Sequence, residues 1–236
     1  MFGSSPPEAW QNKYPLLPGD NIRLAMNCLF IDTGTKKILI DPGMSPDFSP
    51  DGYEMEYAIP IAEQLINYGI HPEEITEVIL THLHFDHCAG IFQYRDNIPF
   101  APAFPSACLV ISLEQYKNIQ NPDPVENDSF ITDFLYFAEK YYSLKIISKS
   151  KGVIIDNITF MKYSGHSPGM IIPIISMAGK TLVFTTDLIP MSLNAKLKVV
   201  STYDLDMEKS QAEMTEFLEV STEKGYEFFL YHEPGE

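Results

Sequence analysis

Residues 81–87 read Thr-His-Leu-His-Phe-Asp-His, so half of the chain's six histidines fall within six consecutive positions. The segment follows the apolar run Val78, Ile79, Leu80 and precedes the small pair Ala89-Gly90. Imidazoles and a carboxylate crowded together lose hydration, and strong hydrogen bonds or a cation must compensate. The fold therefore has to deliver acceptors or a metal to this stretch. His82 and His84 stand two apart, a spacing that points both side chains to one side of an extended segment. Asp86 and His87 come where extended chain gives way to helix, so they face a second point nearby. The cluster predicts a metal site that can serve two neighbouring cations.

The rest of the chain supplies partners at strand ends. Runs 27–33 and 36–41 read as a hairpin through Gly34, and 77–80 reads as a short buried strand leading into the cluster. In the second half, 153–155 and 158–163 flank Asp156-Asn157, and 171–176 and 181–184 flank Ala178-Gly179, two further hairpin signals. Residues 227–231 form a last apolar strand. His166 follows the second of these strands, Asp187 the fourth and His232 the last, as His82 follows 77–80. If these strands are neighbours in one or two sheets, their C-terminal ends gather the side chains at one rim. Only His71 is left over, as an exposed loop residue.

Helices are expected over 60–68, with proline in the first turn and Gly69 after it, and over 206–224, with acids in its first turn and Gly225 beyond. Ser112-Leu-Glu-Gln115 has the capping-box form ahead of a short helix, and 130–142 reads as a bulkier, aromatic one. Hairpins mixed with helices imply a layered α/β or α+β chain. The length of 236 residues suits a single domain spanning 1–236, with the proline-rich residues 1–20 as an arm or lid.

Composition removes several function classes. Sixteen basic residues against 32 acidic ones give a net charge of −16, which opposes nucleic acid as a partner. No apolar run is long enough to span a bilayer, and MFGSSPPEAW lacks the basic and apolar regions of a signal peptide. Three cysteines, Cys28, Cys88 and Cys108, without a CxxC spacing point to structural thiols in a reducing, cytoplasmic compartment, with Cys88 placed to sense oxidation. The expected partner is a small molecule.

THLHFDH followed by GHSPG, a strand-end TTD and a late strand-end histidine resembles the metallo-β-lactamase-fold hydrolase superfamily. ILIDPG at 38–43 and YDLD at 203–206 also look like a branch of it. The resemblance implies an αββα four-layer sandwich with metals at one edge of two sheets. It assigns His82, His84 and His166 to one metal, Asp86, His87 and His232 to the other, and Asp187 to both. Asp41 matches a position whose carboxylate orients a ligating imidazole; on turn chemistry alone it is equally a turn aspartate before Pro42-Gly43. The ligand set suits two divalent transition metals, zinc foremost, with iron, manganese or cobalt as alternatives. Two such cations would supply hydroxide for attack on carbonyl carbon or phosphorus, and Asp86 would pass a proton to the leaving group.

Departures from the pattern narrow the substrate. The bacterial β-lactamases carry cysteine where this chain has Asp187, and only Glu233 to Glu236 follow His232, without the helical part of glyoxalase II-like thioesterases. Flavodiiron relatives carry glutamate where His84 stands, which disfavours a redox di-iron protein, and the complete ligand set disfavours a non-catalytic scaffold. Quorum-quenching lactonases come nearest, although Pro190 stands where they present a tyrosine; Tyr163 or Tyr203 is a candidate replacement, and Phe2, Trp10, Phe100 and Phe104 are candidates for a lid or pocket wall. The expectation is a hydrolase of a small ester, lactone or related bond, with phosphodiesters or phosphotriesters as the alternative.

Overall fold

The computed structural model describes residues 1–48, 54–56, 59–95 and 97–235; Glu236 is outside this range. It contains two compact units, Cys28–Ser148 and Met1–Asn27 with Lys149–Glu236.

The unit Cys28–Ser148 runs β1 (Leu29–Asp32), β2 (Lys37–Ile40), α1 (Ile61–Asn67), β3 (Glu77–Ile79), α2 (Phe85–Cys88), β4 (Phe92–Arg95), β5 (Ile98–Pro102), β6 (Cys108–Ser112), α3 (Leu113–Asn118), α4 (Phe134–Tyr141) and β7 (Ser143–Ile147). Five strands form one sheet in the order β1-β2-β3-β6-β7, with β4 and β5 as a separate pair. The β1–β2 hairpin turns at Gly34, whose φ of 84° needs a residue without a Cβ. The pairs β2–β3, β3–β6 and β6–β7 are parallel. Val78, Ile79, Leu109, Val110 and Ile111 are fully buried, as continuous apolar runs in central parallel strands require. Ala62 and Leu65 of α1 and Phe134 and Ala138 of α4 pack with Leu80, Leu83 and Phe104 in its core.

The helix read over 130–142 begins later, at Phe134. Tertiary pairing overrides the local signal, because Phe130 bridges to His84 antiparallel and Asp133 turns left-handed, φ 61°, before the helix starts. Ser112 caps α3, accepting from the Gln115 N–H at 3.1 Å, while the Gln115 side chain is turned to the Leu83 N–H at 2.9 Å.

The other unit holds β8 (Lys151–Ile155), β9 (Ile158–Tyr163), β10 (Met170–Met177), β11 (Lys180–Phe184), α5 (Ser192–Leu197), α6 (Met207–Lys224) and β12 (Glu227–Phe229). Its sheet has the order β12-β11-β10-β9-β8. Both expected hairpins are present, with Asp156 at φ 44° and Ala178 and Gly179 at φ 52° and 78°. Strand β12 joins parallel to β11, and β9 and β11 both run antiparallel to β10. Strands β9, β11 and β12 therefore share a direction, so the residues that follow them leave from one end of the sheet. Asp206 caps α6 by accepting from the Lys209 N–H at 2.9 Å, and Gly225 ends it at φ 65°. Met214 and Phe217 of α6 bury against Ile172 and Val183. The amino-terminal arm is packed within this unit: Phe2 and Tyr14 are buried with Met191 and Leu193, and Tyr14 Oη donates to Glu233 Oε2 at 2.8 Å. Among the described residues no helix is long and apolar enough to cross a membrane.

Candidate metal centre

In the unit Cys28–Ser148, β3 delivers the chain to Thr81, and the one-turn helix α2 follows His84 directly. His82, His84 and His87 are buried, and the His82 ring centroid lies 4.5 Å from that of His84 and 4.0 Å from that of His87. Asp86 Oδ2 is 3.7 Å from His87 Nε2, and its side chain retains 26% exposure. The structure thus brings four of the seven expected ligands together here, beside a fully buried Asp41.

Each imidazole in this group is held from one nitrogen. Asp41 Oδ2 accepts from His87 Nδ1 at 2.8 Å and from the Thr81 hydroxyl at 2.6 Å, and Asp41 Oδ1 accepts from the Thr81 N–H at 2.8 Å. With its proton committed to Asp41, the Thr81 oxygen accepts from His82 Nδ1 at 3.1 Å. His84 is held on the other nitrogen, Nε2, by Glu126 Oε1 at 2.8 Å. Burial pushes the Asp41 carboxyl up, against the opposing pull of His87 and Thr81. These bonds place the N–H groups on His82 Nδ1, His84 Nε2 and His87 Nδ1, leaving lone pairs on the opposite nitrogens. His82 Nε2 and His84 Nδ1 then face each other across 3.1 Å. Two lone pairs at that distance repel unless a cation lies beside both, so the donor set fits a metal.

The other unit holds the remaining three expected ligands. His166 and Asp187 follow β9 and β11, and His232 follows β12. Asp187 Oδ2 lies 3.0 Å from His166 Nε2, and Asp187 Oδ1 lies 3.2 Å from His232 Nε2. Both imidazoles are again held from behind, His166 Nδ1 by Asp204 Oδ1 at 2.9 Å and His232 Nδ1 by the Ala25 carbonyl at 2.9 Å. Burial lowers the His166 pKa, but Asp187 and Asp204 together outweigh it and push it up to about 10. The carboxylates thus demand positive charge at this position, which a divalent cation supplies as well as a proton does.

Backbone contacts fix this group too. Glu213 of α6 accepts from the Gly165 N–H at 2.8 Å and the Ser164 N–H at 3.0 Å, and the Asp206 N–H donates to the Gly165 carbonyl at 2.8 Å. A Cβ on Gly165 would collide with the Ser210 backbone, so the turn before His166 has to be glycine. Thr186, next to Asp187, takes a left-handed φ of 44°, as Asp41 does at 45°. Such conformations in non-glycine residues persist only where surrounding contacts impose them.

Sequence reasoning missed Glu126, Asp204, Thr81 and Glu213. Only the YDLD segment hinted at Asp204; the others carry no local signal. Among the other candidates, Phe104 is fully buried core, Phe100 stacks on Phe137 with centroids 4.1 Å apart, and Phe2 stacks on Trp10 at 5.3 Å. Tyr203 is 66% exposed, whereas Tyr163 packs edge-on to Phe217. Cys88 is buried, its thiol donates to the Leu83 carbonyl, and burial raises its pKa well above the ordinary thiol value, which favours a structural role. His71 is an exposed residue ahead of a short 3-10 turn.

Residues 22–232 match the model of the metallo-beta-lactamase superfamily. The chain belongs to that superfamily. An N-acyl homoserine lactonase of Bacillus cereus is 26% identical over 167 residues, 65% of this chain and 59% of the lactonase, so the chain covers under two thirds of that relative. A probable metal-dependent hydrolase from Staphylococcus aureus has a similar structure, with a TM-score of 0.85 at 23% identity over 99% of this chain and 83% of its own. AidC, a dizinc quorum-quenching lactonase solved with a product, has a TM-score of 0.75 at 23% identity over 89% of this chain and 73% of its own. At these identities the structural likeness is one of fold: the mixed α/β fold of the superfamily.

Proposed function

We propose that this superfamily member is a single-domain, dinuclear metal-dependent hydrolase of a small ester or lactone. In this reading the two groups of ligands form one centre. His82, His84 and His166 hold one cation, Asp86, His87 and His232 the other, and Asp187 serves both. The observation that carries the reading is shared by five histidines: each has one ring nitrogen engaged by an oxygen acceptor, and in this reading the other nitrogen is the metal donor. Divalent cations held there supply Lewis acidity and hydroxide at neutral pH. Zinc is the first choice, in keeping with the dizinc lactonase of similar fold.

The residues of the chain do the positioning. Asp41 holds the His87 ring directly and the His82 ring through Thr81, and Asp204 holds His166 directly. Asp86 is the one carboxylate ligand with appreciable exposure in its own group, which suits it to carry a proton to the leaving group. The net charge of −16 favours a neutral small molecule over nucleic acid, and three cysteines that form no disulfide suit a reducing cytoplasm.

The test is hydrolysis of a lactone, an aryl ester, a thioester, a phosphotriester and a cephalosporin by metal-loaded protein, with His84→Ala as control. Lactone or ester turnover that disappears in the control supports the reading. No turnover above the control on any substrate, or well under one equivalent of transition metal in gently purified protein, overturns it.

A further inference from the structure

We infer that Glu126 is a positioning residue that decides which nitrogen His84 offers to metal; the inference rests on the metal reading above and adds a residue to it. His82 and His87 are held at Nδ1 and offer Nε2, but His84 is held at Nε2 and so offers Nδ1. The reversal follows the Glu126 contact, Oε1 at 2.8 Å from His84 Nε2. Nδ1 lies on the ring atom next to the side-chain stem, so a ligand using it keeps its metal closer to its own backbone. Two histidines only two residues apart can then meet at one point, as the 3.1 Å separation of His82 Nε2 and His84 Nδ1 shows.

Glu126 is itself built in. Only 4% of it is exposed, and its second oxygen accepts from Asn118 Nδ2 at 2.8 Å, at the end of α3. With both oxygens taking N–H donors, it acts as an acceptor and leaves the His84 proton on Nε2. Backbone bonds hold the loop around it: the Glu126 N–H donates to the Asp123 carbonyl at 3.0 Å, and the Ser129 N–H donates to the Glu126 carbonyl at 2.9 Å. Phe130, four residues on, bridges to the His84 backbone and sets its ring centroid 5.4 Å from the imidazole, so the same loop clamps His84 by backbone, ring and carboxylate.

The experiment titrates metal-stripped protein with cobalt(II) against a chelator, reading both affinity and the visible absorption bands that report cobalt geometry. Glu126→Ala is expected to weaken binding by about 10- to 100-fold and to change the bands, since the ring loses its orienting acceptor. Glu126→Gln, which can still accept from Nε2–H, is expected to recover most of the affinity and the parent bands. A merely structural role would not be rescued in the spectrum by the acceptor alone. Parent-like affinity and bands in Glu126→Ala overturn the inference while leaving the metal reading standing. A parent protein that takes up no cobalt overturns both. Should Glu126→Ala fail to fold, Glu126→Asp carries the test: shortened by one methylene, it is expected to bind cobalt more weakly than the parent, and parent-like binding overturns the inference.

Discussion

A single oxygen of Asp41 accepts from His87 Nδ1 at 2.8 Å while also taking the Thr81 hydroxyl that supports His82. One fully buried carboxylate thus orients two imidazoles of the same cluster. Its removal leaves buried donors on Thr81 and His87 without their acceptor, which costs roughly 1–3 kcal/mol for each neutral group. Asp41→Ala is expected to lose about 2–5 kcal/mol of stability in metal-stripped protein and about 10- to 100-fold in metal affinity. Urea denaturation and chelator competition measure the two losses, and unchanged values in both would remove Asp41 from the support of the site.

His166 predicts a pH dependence for the metal-stripped protein. Its pKa in the folded state, about 10, stands above the ordinary 6.5 because Asp187 and Asp204 outweigh the effect of burial. The sign follows from linkage: a raised pKa stabilises fully below the unfolded value of 6.5, and this stabilisation disappears as pH rises through 10. Metal-stripped protein is therefore expected to lose stability between those limits, and His166→Gln to flatten that slope. Equal slopes for the two proteins in denaturation across the pH range contradict the assignment.

Two glycines are expected to be intolerant for steric reasons. A Cβ on Gly90 would strike the Pro42 carbonyl, in the loop that follows Asp41, and a Cβ on Gly165 would strike the Ser210 backbone. Neither obstacle is a flexible side-chain end, so Gly90→Ala and Gly165→Ala should each cost about 1–3 kcal/mol, as overpacking does. Gly34→Ala meets nothing within 4 Å and pays only for its φ of 84°, about 1 kcal/mol. Denaturant midpoints rank the three; a Gly34 variant less stable than both others would refute the steric account.

Cys88 should resist alkylation in the native protein. It has no exposed surface, and burial, reinforced by Asp86 and Asp41, raises its thiol well above the ordinary value. Mass spectrometry after brief iodoacetamide treatment should find Cys88 unmodified until denaturant is added. Labelling of native Cys88 at the rate of an exposed thiol would restore the oxidation-sensing reading.

Much of the architecture was legible in the residues. The hairpins at Gly34, Asp156-Asn157 and Ala178-Gly179 carry their own turn chemistry, and α6 carries its cap and its terminating glycine. The helix before β7 was misread at its start, since the Phe130 backbone is claimed by His84, a partner far away in sequence. Glu126 and Asp204 escaped because they lie 42 and 38 residues from the histidines they hold.

By itself, then, the order of residues determined the strands that lead into His82, His166, Asp187 and His232, though not β4 to β7, because turn propensity and apolar patterning act over a few neighbouring positions. Tertiary structure alone decided which of the 32 acidic side chains leave water to grip those imidazoles. A carboxylate looks the same in sequence whether solvated or buried, and only packing puts one within 3 Å of a ring nitrogen and so selects which nitrogen keeps its lone pair.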